Sequence, residues 1–77
     1  MEKPLDTFSA QEKGVVKRIS AEGKLKRRLF DMGITRGAQI IMQKAAPLGD
    51  PLEINIRGYE LTLRKAEAQA VIMEVTD

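Results

Sequence analysis

Leu52-Glu53-Ile54-Asn55-Ile56 and Tyr59-Glu60-Leu61-Thr62-Leu63 alternate apolar with polar residues on either side of Arg57-Gly58. Alternation at period two marks strands with one buried face. With Arg57-Gly58 as a two-residue turn, Ile56 falls opposite Tyr59, Ile54 opposite Leu61, and Leu52 opposite Leu63. Directly opposed residues share a face, so this register puts every apolar side chain inside and every polar one outside; a slip of one residue would destroy the agreement. Gly58 suits the second position of a type I′ turn, where φ must be positive. An antiparallel hairpin with one committed face is therefore the centre of the fold.

Downstream, residues 64–69 are rich in helix formers, enough for one or two turns, and residues 70–75 close the chain as a last strand. Upstream, residues 38–44 read as a strand. It ends at Ala46-Pro47-Leu48-Gly49-Asp50-Pro51, where two prolines and a glycine forbid continuous ladder pairing. Before that strand the period changes. Leu25, Leu29 and Met32 fall at i, i+4 and i+7, so the spacing predicts a helix over residues 22–32 that docks through this stripe. Glu22 and Lys26 are spaced for an i, i+4 pair, and Gly33 stands where a left-handed C-terminal residue is wanted. Residues 34–37 form a turn. Residues 14–19 read as the first strand, its imperfect alternation leaving room for a bulge. In the leading segment, residues 1–13, Leu5 and Phe8 can pack on the core and residues 11–14 turn the chain. About five short strands with small helical insertions predict a mainly β fold, a closed or nearly closed small barrel.

The 77 residues suffice for one domain over residues 1–77, with its core at about 14–75. Cysteine and histidine are both absent, which excludes disulfides and thiolate or imidazole metal sites. Thirteen basic residues against eleven acidic give a net charge of +2, too balanced for a dedicated nucleic-acid binder, although Lys24, Lys26, Arg27 and Arg28 cluster locally. Met1 to Asp6 lacks the apolar stretch of a signal peptide, and no apolar run approaches a membrane span. A soluble, cytoplasmic protein is expected. Ser9 and Ser20 have no histidine to activate them, Asp50 and Glu53 read as turn and surface carboxylates, and no Gly-rich phosphate loop is present. The chain is not expected to be an enzyme.

Leu29, Asp31-Met32-Gly33-Ile34, Gly37, Gly49-Asp50-Pro51, Arg57-Gly58 and Leu63-Arg64-Lys65-Ala66-Glu67-Ala68 resemble, in order and spacing, the FeoA family. These are small accessory proteins of bacterial and archaeal ferrous-iron uptake, and the likeness spans about residues 14–75. It implies an SH3-like barrel that partners a FeoB-type ferrous-iron transporter at its cytoplasmic GTPase region. A similar fold occurs as the C-terminal domain of iron-dependent repressors, so fold alone does not fix the role. The chain carries no helix-turn-helix and no histidine, which favours the freestanding transport accessory. Ferrous iron is best held by imidazole with carboxylate. Carboxylates scattered among Lys and Arg predict no metal site within one copy and no cofactor, while a homo-oligomer stays open.

Four residues are the expected partner contacts. Leu48 sits at the tip of a loop stiffened by proline, which lowers the entropy lost on binding. Phe30 lies off the helix's apolar stripe and reads as a rim residue or an exposed anchor. Lys26 and Arg27 lie in the basic run, which is either a solvated helix face or a docking patch. One rival is a nucleic-acid-binding barrel, which would place aromatics on a basic sheet face, whereas Tyr59 is expected inward; the other is a freestanding regulatory domain related to the C-terminal domain of iron-dependent repressors.

Overall fold

The computed structural model describes residues 1–45 and 50–76. In chain order its elements are β1 (Glu2–Pro4), a 3₁₀ turn (Leu5–Thr7), β2 (Lys13–Ile19), α1 (Gly23–Asp31), β3 (Gln39–Ala45), β4 (Leu52–Ile56), β5 (Tyr59–Leu63), α2 (Lys65–Ala68) and β6 (Val71–Thr76). The strands form one antiparallel sheet in the order β1-β6-β2-β3-β4-β5.

The hairpin has the register its alternation demands: Ile56 pairs with Tyr59, Ile54 with Leu61 and Leu52 with Leu63. Arg57 and Gly58 take φ of 52° and 89°, both left-handed as a type I′ turn requires. Leu52, Ile54, Ile56 and Leu63 are buried. They meet Val16, Leu29, Ile34, Ile40, Met42, Val71 and Met73 in a single core cluster. β2 holds the sheet together, pairing with β3 through residues 13–15 and with β6 along its length. The irregular alternation of β2 corresponds to a register shift against β6 between Val16 and Arg18, the geometry of a bulge.

Two expectations need correction. The sheet has six strands, not about five, because Glu2–Pro4 pairs with β6 as an edge strand. A three-residue strand containing proline carries no readable alternation, and proline is tolerated there only because the edge needs fewer donors. The expected small barrel, closed or nearly closed, is met in its open form: among the described residues β1 and β5 are the two edges of the sheet, and the fold is barrel-like rather than a closed ring. Finally, Tyr59 is not inside. It is 46% exposed, since it stands at the hairpin's end on an edge strand, where facing the core does not mean being covered by it.

The leading segment is fixed by local bonds. Leu5 and Phe8 enter the core. The Glu12 carboxylate accepts from the Ser9 amide at 2.8 Å and from Lys3 Nζ at 3.0 Å. Those bonds, the amide's first and the lysine's second, hold its carboxyl below the usual carboxylate range. Past the loop, Asp50 Oδ1 accepts from the Lys65 amide at 2.9 Å, satisfying one of the free donors at the start of α2.

Candidate functional site

α1 carries the candidate site, and its sequence explains how it is mounted. Leu29 is fully buried, while Leu25 and Met32 pack on the core from its margin. At 100° per residue those three cover one side. Gly23, Lys26, Arg27, Phe30 and Asp31 fall on the other side and line one open depression of about 390 Å³.

The C-terminal end of the helix is well made. Gly33 has φ of 89°; its amide donates to Phe30 O at 2.9 Å, and the Ile34 amide donates to Leu29 O at 3.0 Å. This pair of bonds is a Schellman motif, with Leu29 and Ile34 as its buried apolar contact. Tyr59 Oη donates to Met32 O at 3.3 Å. A Cβ on Gly33 would lie 2.7 Å from that hydroxyl, so Gly33 supplies both the left-handed turn and the space for the tyrosine.

A second brace comes from α2. Glu67, only 9% exposed, accepts from the Arg64 amide through Oε1 at 2.9 Å. Its Oε2 takes Arg28 Nε at 2.8 Å. The pair fixes one flank of α1 and satisfies a carboxylate that burial would otherwise penalise.

The N-terminal end is poorly made. No side chain caps it, and its first turn holds no acidic residue. Lys24, Lys26 and Arg27 are exposed and, among the described residues, make no ion pair. The expected Glu22–Lys26 pair is not formed. Lys26 Nζ instead lies 5.8 Å from the centroid of the Phe30 ring, a cation–π distance, and Phe30 is 46% exposed. Among the described residues no three acidic side chains gather as a metal cluster would need.

Three of the four expected contact residues, Lys26, Arg27 and Phe30, thus line one depression. Leu48 lies outside the described residues. Sequence reasoning missed Gly23, Asp31 and Tyr59. Gly23 and Asp31 follow from extending the helical spacing of Lys26, Arg27 and Phe30 by a turn in each direction. The contact of Tyr59 with Met32 and Gly33 joins segments distant in sequence, and no local pattern announces it.

The FeoA domain family model matches residues 3–75. A curated relative, the Fe(2+) transport protein A/Fe(2+) transporter FeoB fusion protein of Porphyromonas gingivalis, is 30% identical over 71 residues. The match covers 92% of this chain, which spans only 8% of the fusion protein's length. The solution structure of a FeoA-like protein from Clostridium acetobutylicum is 39% identical with a TM-score of 0.92, covering 99% of this chain and 88% of that one. A FeoA from Stenotrophomonas maltophilia, solved with zinc and described as a prokaryotic SH3 domain protein, is 25% identical with a TM-score of 0.80, covering 92% of this chain and 88% of that one. A manganese-dependent transcriptional repressor shares the fold at 20% identity and a TM-score of 0.90, with 97% of this chain on 41% of that one.

Proposed function

Because this chain belongs to the FeoA domain family, we propose that it is a non-enzymatic accessory of ferrous-iron uptake that acts as one self-contained domain on the cytoplasmic side. Its partner is the soluble GTPase region of a FeoB-type transporter. The observation that carries the proposal is the Porphyromonas gingivalis relative, in whose name the two proteins are one fusion. Physical linkage raises the effective concentration of two parts, which benefits parts that work in contact. The docking surface is the outer face of α1, with Lys26, Arg27 and Phe30, together with Leu48. Exposed aromatic anchors supply most of the energy of an interface and neighbouring charges tune encounter.

Pull-down of the transporter's soluble cytoplasmic region by this chain tests the proposal. Specific capture is expected, and no capture by the folded protein would overturn it. A Leu48→Ser, Phe30→Ser double variant that keeps its melting temperature should lose capture; full capture would move the surface elsewhere and leave the partner in place.

One observation favours a second reading. The exposure of Tyr59 removes an argument the sequence offers against a nucleic-acid-binding barrel. Charge balance still opposes it. Heparin chromatography separates the two: elution at low salt is expected, and retention at moderate salt would favour the nucleic-acid reading.

A further inference from the structure

On the premise that this chain docks on a protein partner, we propose that the outer face of α1 takes an acidic amphipathic segment, with its carboxylates over Lys26 and Arg27 and one apolar side chain against Phe30. Charge on this helix decides the chemistry. Of its four cations, Arg28 is paired internally with Glu67, whereas Lys24, Lys26 and Arg27 make no ion pair among the described residues, Lys26 lying only over the Phe30 ring. Lys24 and Lys26 sit in the first turn of the helix, which has no acid. There they oppose the macrodipole, and Lys24 also faces the like charges of Arg27 and Arg28 at i+3 and i+4. Carboxylates from outside would relieve both penalties at once.

Shape sets the rest. Gly23 has open space where a Cβ would be, and with Lys26, Arg27, Phe30 and Asp31 it borders a depression open to solvent. The ring of Phe30 is the large apolar group on that border, so the incoming apolar residue packs there. Asp31 closes the same face and gives it polarity, positive toward Gly23 and negative beyond Phe30. An anionic membrane or a nucleic-acid backbone would meet Asp31 as a like charge. An amphipathic protein segment can place carboxylates one turn from its apolar residue and leave Asp31 free of them.

Isotope-labelled NMR of the 77-residue chain tests this with designed probes. One is a 14-residue helical peptide bearing glutamates on two adjacent turns and leucine on the same face. The others are its Glu-to-Gln and Leu-to-Ser versions, and vesicles of phosphatidylglycerol. The glutamate–leucine peptide should shift amides within residues 23–31, and each altered peptide should bind at least about tenfold more weakly. A Lys26→Glu, Arg27→Glu variant should lose the acidic peptide and gain a lysine-for-glutamate version of it. No shifts on α1, equal binding by the Gln or Ser peptide, or shifts from vesicles alone would overturn the inference. Capture of the transporter region undiminished by the Lys26→Glu, Arg27→Glu variant would also overturn it, remove those two charges from the docking surface and leave the proposed partner in place. Peptide binding without any capture would do the reverse.

Discussion

The β4–β5 hairpin and α1 are built on opposite logic. In the hairpin the local pattern agrees with the fold except at its end, where Arg57 takes a left-handed φ and Tyr59 is half-exposed. Alternation, register and turn chemistry select one structure, and its buried residues lie at the centre of the core. α1 agrees with the fold on one side only. Its inner stripe and its Schellman end are well formed, while its outer face has no N-cap, unmatched cations and a half-exposed phenylalanine. Consistency across levels marks a segment shaped by folding alone, and a local rule broken without internal compensation marks a surface shaped by something outside the chain. Substitutions along both elements can break or sharpen that contrast.

The largest effect is expected between neighbours on α1. Leu29→Asp would bury an unpaired carboxylate under the helix, at a cost above about 4 kcal/mol, enough to unfold a domain of this size. Phe30→Asp, one residue on, should leave the melt within about 0.5 kcal/mol of the parent. Thermal unfolding followed by circular dichroism checks both. A folded Leu29→Asp would show that the inner stripe is misassigned, and an unfolded Phe30→Asp that the outer face is core.

Next comes the hairpin. Ile54 is fully buried, so Ile54→Ala should cost about 2–5 kcal/mol in urea unfolding. Glu53→Ala on the exposed face should cost far less. Near-equal losses would mean that one face of the hairpin is not committed to the core.

What was legible in the sequence follows the same division. The register and turn of the hairpin were, to the residue, because period-two alternation and turn chemistry are local. The inner stripe of α1 and its stop at Gly33 were too, since helical spacing and a C-terminal glycine lie within a dozen residues. Glu2–Pro4 was not, because the strand it pairs with, β6, lies some seventy positions away. Nor was the exposure of Tyr59, which depends on where a sheet ends rather than on which face a residue takes. At the site, Lys26, Arg27 and Phe30 could be named separately; that they share one depression with Gly23 and Asp31 follows from mounting the helix on the core.

A smaller effect probes the joint between the two elements. Gly33→Ala places a Cβ 2.7 Å from the Tyr59 hydroxyl at a φ of 89°, a strain of about 1–3 kcal/mol. Tyr59→Phe alone removes one exposed hydrogen bond and should cost under about 1 kcal/mol. Combined, the two should cost less than their sum, because deleting the hydroxyl relieves the clash and leaves only the backbone penalty. Strict additivity in a double-mutant cycle would show that the hairpin and the end of α1 do not meet there.

The smallest effect on stability is the most telling, because its sign is the reverse of the others. Lys24 stands in the first turn of α1, exposed and without an ion pair among the described residues. Lys24→Glu replaces a charge that opposes the macrodipole with one that complements it, and places a carboxylate four residues before Arg28. For a domain of this length the melting temperature should rise by about 2–4 °C. If the cations are kept for an acidic partner, the same change should weaken binding of the glutamate–leucine peptide a few-fold, less than reversing both Lys26 and Arg27, because Lys24 stands on the flank rather than in the depression. A stabilised protein that binds less well is the pattern of a surface that trades stability for function. A stabilised protein that binds equally well would mean that Lys24 is only solvated charge, and would confine the docking charge to Lys26 and Arg27. A fall in melting temperature would show that the lysine has a partner on the folded chain, and the contrast between the two elements would lose its footing at the start of α1.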